Sequence, residues 1–364
     1  MKRSGWFFMV FTSAVLFGCM DDDALWDFER PDPPVSYEGV FIVNEGNFMY
    51  GNASLSYYDM ESGEVFNDVF FNANAMPLGD VAQSMVIRDS LAYVVVNNSG
   101  KVVVMNVNTF EYVSVIGGLT SPRYMHYVDD TKAYVSDLYA KSIAVVNPQT
   151  FEVTASIDVS LPESGFYRHS TEQMLPFGKY VFVNCWSFDN SILVIDSETD
   201  EWIETIEVLV QPNSMVMDNY GKLWVLADGG FPGSPFAYEE PGLMRIDAAT
   251  RQIEHTYRFE LGDRPLALSI NGTGDTLFYI NRHVFRHDVT SADAPEKFIE
   301  SPYTAGYAGG FSALGVDPVS SNIYVADAID YMQSGRVYRY APDAELADSF
   351  RVGIIPGEFV FRPR

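Results

Sequence analysis

The chemistry this sequence offers is aromatic stacking combined with hydrogen bonding. Phe48, Tyr50, Tyr139, Phe166, Tyr167, Trp186, Phe188, Phe231, Phe236, Tyr238, Tyr303, Tyr307 and Tyr331 all fall in polar or Gly/Pro-containing segments between apolar runs. Arg123, Arg168, His169, Asn190 and His283 accompany them. Aromatic faces held in solvent-facing loops bind planar or amphipathic ligands, and a few placed polar groups fix the ligand's amides or phosphates. The competing use of such residues is a private core in which the loops pack on one another. The segment 229–236, with three glycines and two prolines, suits a mobile flap over such a site.

Residue types that would indicate catalysis are present without the spacing it needs. The five histidines, at 126, 169, 255, 283 and 287, form no HExxH pair, and His283 and His287 lie in a strand-and-turn region where a four-residue spacing does not align ligands. Cys185 at a strand end reads as a small apolar filler rather than a nucleophile, despite His169 upstream. Glu239-Glu240 is an adjacent pair without acid/base positioning, Gly117-Gly118 and Gly309-Gly310 match no phosphate loop, and no acidic run has EF-hand spacing. The expectation is a binding protein with no catalytic residue, no metal and no cofactor.

Among 364 residues, 49 Asp and Glu oppose 23 Lys and Arg, a net charge of −26 that repels nucleic acid and anionic lipid. Two cysteines allow at most one disulfide, so stability must come from packing. Lys2 and Arg3 precede an apolar run from Trp6 to Gly18, too short to span a bilayer but suited to a signal-peptide core. The run ends in Leu16-Phe17-Gly18-Cys19, which resembles a bacterial lipobox with Cys19 as the lipidated residue. An ordinary secretory signal with an incidental cysteine is the alternative. Asp21-Asp22-Asp23 resembles the acidic export signal of surface lipoproteins in Bacteroidetes, and Pro31, Pro33 and Pro34 favour an extended tether. The expected organisation is therefore a signal peptide at 1–18, a lipidated tether at 19–36 and a folded domain at 37–364. The expected location is the outer membrane, anchored by lipid alone and exposed at the cell surface.

The folded part repeats. An apolar, β-branched and aromatic run ending in Asn or Asp appears seven times, closing at Asn44, Asn97, Asp137, Asn184, Asp228, Asn281 and Asp327, 40 to 53 residues apart. A second run ends in Asn106-Val107-Asn108-Thr109, Asn147-Pro148-Gln149-Thr150, Asp196-Ser197-Glu198-Thr199 or Asp247-Ala248-Ala249-Thr250, sequences that suit side-chain-capped turns. Period and pattern predict an all-β, seven-bladed propeller of four-stranded blades. The chain starts without an inner strand for its first blade and ends with a spare segment at 358–361. That segment is expected to supply the missing strand and close the ring, leaving no competing helix.

These repeats and turns resemble the YncE-like, surface-layer-type seven-bladed propellers over about 37–364. With the lipobox, the acidic tether and the opening Val43-Asn44-Glu45-Gly46-Asn47, the chain further resembles the BtuG-like surface cobalamin-binding proteins of Bacteroidetes. That resemblance implies capture of cobalamin or another corrinoid and its delivery to a TonB-dependent outer-membrane transporter. It assigns no individual residue. An interaction scaffold of an uptake complex, without its own small ligand, is the alternative function. Strand order places the long loops 44–54, 70–83, 160–173, 184–191, 228–242, 301–312 and 327–335 on one face. The expected ligand-binding set is therefore its aromatics, other than Phe166, with Arg123, Arg168, His169 and His283.

Overall fold

The computed structural model describes residues 38–161, 168–303 and 310–362. The expected signal peptide, Cys19 and the expected tether lie outside the described residues, as do Phe166, Tyr167 and Tyr307.

Seven four-stranded antiparallel sheets form the blades. The second strand of each blade is the apolar run read from the sequence, and because it is covered on both faces it is buried almost throughout, as in Phe41, Val94, Val135 and Phe182. Outer strands such as Glu152–Asp158 face solvent along most of their length. The last strand, Pro356–Phe361, pairs antiparallel with Gly39–Asn44 and becomes the inner strand of the first blade, Val40 opposite Phe361 and Val43 opposite Glu358. The ring is thus closed by chain-end pairing, with no sheet edge left open inside it.

The core is distributed. Each pair of neighbouring blades encloses its own apolar cluster, for example Phe182, Ile192, Val194, Val225 and Ile246 between the fourth and fifth blades. Every such side chain fully removed from water contributes roughly 1.5–3 kcal/mol, so the interfaces rather than one centre carry the stability.

The turns follow the sequence pattern. Asn106, Asn147, Asp196 and Asp247 each accept a following backbone N–H on a side-chain oxygen, from Asn108 at 2.8 Å, Gln149 at 2.8 Å, Glu198 at 3.0 Å and Thr250 at 2.7 Å. The next residue, Phe110, Phe151, Asp200 or Arg251, sits at a φ of about 60° and closes the turn by donating to the first residue's carbonyl. The expectation of no helix fails among the described residues at Val69–Asn74, a six-residue α-helix, beside a single 3-10 turn at Asn97–Ser99. The α-helix lies in the loop read as part of the aromatic face, yet Val69, Phe70 and Leu78 sink into the core between the first two blades. Six residues are too few to show helical periodicity in a sequence.

Candidate functional site

The site is built at the loop-facing ends of the inner strands. In all seven, the pairing register slips by one residue just after the strand begins, at Gln83, Arg123-Tyr124, Glu172-Gln173, Asn213, Ala267-Leu268, Ser312 and Gly357. A bulge of this kind re-aims side chains and frees backbone groups. Here the freed N–H groups are taken up by the neighbouring blade: Met85 N–H donates to Glu358 Oε2 at 2.8 Å, Met215 N–H to Gln173 Oε1 at 2.8 Å and Leu268 N–H to Ser214 Oγ at 3.0 Å.

Polar residues cluster on one side of this ring. Arg123 Nε lies 2.7 Å from Glu172 Oε2, and its Nη1 donates to Gln83 Oε1 at 2.5 Å. The Glu45 carboxyl leans over Gly357, where a Cβ would come within 2.6 Å of it. Burial raises the pKa of Glu45 and of Glu172 above the carboxylate range, against the pull of Arg123. Glu358 is pushed up to about 8, also by burial. On the other side, Leu266, Ala267, Leu314, Gly315, Val316 and Phe359 give an apolar lining.

The result is a cavity of about 710 Å³. Trp186, Phe188 and Phe231 stand among its lining residues with Gln211, Asn213, Asp228 and Arg264. Trp186 Nε1–H donates to Asp228 Oδ2 at 2.8 Å, and Gly230 N–H to Asp228 Oδ1 at 2.9 Å. Phe188 meets Phe231 edge to face, ring centres 6.0 Å apart. Asp228 occupies the repeat position at which Asn97 and Asn184 instead donate to backbone carbonyls of the next blade, Pro122 and Pro212. In the fifth blade that position has been turned to holding Trp186. Burial raises the Asp228 pKa as well.

The remaining expected site residues divide into separate groups. Phe48, Tyr50 and Tyr331 are exposed at 65%, 71% and 49%, and with Met49 and Met332 they form a second apolar region on loops of the first and seventh blades. Asn47 Nδ2–H donates to the Tyr331 carbonyl at 2.6 Å, joining the two loops. Arg123 belongs to the ring but is committed to Glu172. Arg168 is paired with Asp189 at 3.1 Å and covers Phe236 at 5.1 Å from the ring centre. His169 is buried, its Nδ1 2.8 Å from the Val159 carbonyl and its ring edge-on to Trp202, so it braces its loop. His283 Nδ1 accepts Ser301 N–H at 3.0 Å, and Tyr303 O–H donates to Asp327. Tyr139 and Tyr238 are exposed loop residues outside the cavity lining. Cys185 is fully buried, and burial pushes its thiol well above the ordinary range. Among the described residues, no group of three or more His, Cys, Asp or Glu is placed to hold a metal ion.

Sequence reasoning missed Gln211, Asn213, Asp228 as a ligand to Trp186, Arg264 and Glu358. Asp228 alone left a trace, as an aspartate followed by two glycines where other repeats continue differently.

Three solved structures share the architecture. A quinonprotein alcohol dehydrogenase-like protein from Bacteroides thetaiotaomicron aligns with a TM-score of 0.67 at 13% identity, over 90% of this chain and 79% of its own. The periplasmic gluconolactonase of Pseudomonas aeruginosa gives 0.63 at 12%, over 89% and 99%. The dihydro-heme d1 dehydrogenase NirN gives 0.59 at 10%, over 91% and 77%. At these identities the likeness establishes the propeller fold alone. No curated protein matches the chain. A family match covers residues 38–349, and the chain is a member of the family described as a domain of unknown function, DUF5074.

Proposed function

We propose that the protein is a non-catalytic binding propeller that captures an amphipathic small molecule at the Trp186 mouth. The observation that carries this reading is the cavity of about 710 Å³ with Trp186, Phe188 and Phe231 on one part of its lining and buried polar groups on another. Its acidic groups are occupied in holding the site together: Asp228 receives Trp186 and Gly230, and Glu358 receives Met85. That is the economy of a binding site rather than of acid/base chemistry. Within this proposal the ligand is cobalamin or a related corrinoid, whose flat body and amide fringe match an aromatic mouth with polar lining. The partner is a TonB-dependent outer-membrane transporter, and a lipid on Cys19 holds the propeller at the cell surface. The BtuG-like resemblance motivates ligand, partner and location.

Calorimetric titration of the purified protein with cyanocobalamin, and with haem as a control for unselective stacking, tests the proposal. Saturable cobalamin binding with little haem binding is expected; binding of neither removes the corrinoid. A second reading, an interaction scaffold, is favoured by the exposed Phe48, Met49, Tyr50, Tyr331 and Met332. It predicts that a barrel partner is recovered equally with and without added ligand.

A further inference from the structure

The cavity is divided in chemistry from one side to the other. Leu266, Ala267, Leu268, Leu314, Val316 and Phe359, from the sixth, seventh and first blades, give an apolar wall. Facing the fourth and fifth blades are Gln173, Gln211, Asn213, Ser214 and Asp228, below Trp186. A ligand filling this space buries one edge against hydrocarbon and offers the other to hydrogen-bonding groups.

The polar side favours ligand donors over ligand anions. Gln211 is 6% exposed and its Oε1 accepts no hydrogen bond from the described residues, an orphan acceptor of the kind that native interiors rarely leave. Its backbone is already committed, N–H to the Asp189 carbonyl at 2.8 Å and carbonyl to Asp228 N–H at 3.1 Å, at a φ of 57°. Strained backbone at a lining residue is kept where the surroundings enforce it. Asp228 adds a carboxylate, and Glu358 a second carboxyl, to the lining. The whole chain carries −26, which adds a long-range field against anions. Arg264, exposed at the rim, is the lining's single cation among the described residues. An incoming carboxylate or phosphate would bring its charge close to the Asp228 carboxylate in a partly desolvated site, where like-charge repulsion is strong.

We infer that the Gln211–Asp228 wall is a selectivity subsite that accepts a nitrogen-borne donor edge, a primary carboxamide or an ammonium, and rejects the matching anion. This inference rests on the binding reading of the same mouth and adds the sign and chemistry of what binds. It does not depend on the ligand being a corrinoid.

The test uses two matched pairs and the purified protein. The first pair is cyanocobalamin and a derivative with one side-chain amide hydrolysed to a carboxylate. The second is tryptamine and indole-3-acetate, which share a ring and differ in charge. Calorimetry reads the corrinoids; the Trp186 indole N–H resonance, assigned by its loss in W186F, reads the indoles. The expected result is at least tenfold weaker binding of the anion in each pair that binds, with the discrimination falling at least threefold in Gln211→Met and in Asp228→Asn. If tryptamine is preferred but cyanocobalamin does not bind, the subsite stands and the corrinoid assignment falls. If cyanocobalamin binds and its carboxylate derivative binds equally well, the subsite is overturned while the capture role stands. Silence from both pairs removes both.

Discussion

Two regions of one face use aromatic residues in opposite ways. At the Trp186 mouth the indole N–H is tied to Asp228 at 2.8 Å, Phe188 meets Phe231, and a cavity lies beside them. At the loops of the first and seventh blades, the backbone is held, Met49 N–H on Asp80 at 2.9 Å and Asn47 on the Tyr331 carbonyl. There the side chains of Phe48, Met49 and Tyr50 project into solvent. The first region orients side chains towards an enclosed volume; the second orients a backbone and leaves an apolar surface. Aromatic content alone does not separate a ligand site from a surface patch. The separating features are a polar group that fixes the ring and a cavity beside it, since the inner-strand bulge is common to all seven blades.

Substitutions break this contrast in order of effect. Arg123→Met leaves Glu172 and Glu45 buried without their counter-charge and should cost about 3–5 kcal/mol, read by denaturant unfolding. Adding Glu172→Gln should recover much of the loss, since the uncompensated carboxylate is its main cause. Glu358 gives a pH-dependent effect. Its folded pKa of about 8 lies above the ordinary 4.5, so the folded state holds a proton that the unfolded chain releases. The stability this provides is full below about pH 4.5 and is lost as pH rises to about 8. Glu358→Gln keeps an acceptor for Met85 N–H and should therefore be more stable than the parent at pH 9, by on the order of 2 kcal/mol, the gap closing by pH 5. Unfolding at the two pH values checks this.

Trp186→Ala should weaken ligand binding at least tenfold, about 1.4 kcal/mol, measured by calorimetry. The smallest change is expected from the patch. Phe48→Ser with Tyr50→Ser should alter stability by less than about 0.5 kcal/mol and leave ligand affinity unchanged. Recovery of a protein partner should fall if the patch is a docking surface, which a pull-down measures.

The sequence made the blades legible because each repeat solves the same local problem. The second strand must be apolar on both faces, and the turn after the third must cap its own N–H groups, so Asn106, Asn147, Asp196 and Asp247 recur. The closing strand was legible because one blade lacked a strand and the chain end had one to spare. The site was much less legible, because it depends on residues brought together from different blades. Arg123 and Glu172 are 49 residues apart, and Glu358 is 273 from Met85. Gly315 lets its inner strand pack closely on Phe359 of the first blade, where a Cβ would come within 2.7 Å, a contact that no single repeat discloses. Residue type does not disclose such local commitments as the His169 ring against the Val159 carbonyl or Arg168 against Asp189.

Titrating the parent protein, Trp186→Ala and the Phe48→Ser/Tyr50→Ser variant side by side with cyanocobalamin decides between ligand binding at the Trp186 mouth and at the exposed patch. Binding at the mouth gives at least a tenfold loss for Trp186→Ala and parent affinity for the patch variant. Retained affinity in Trp186→Ala, with loss in the patch variant, would contradict it.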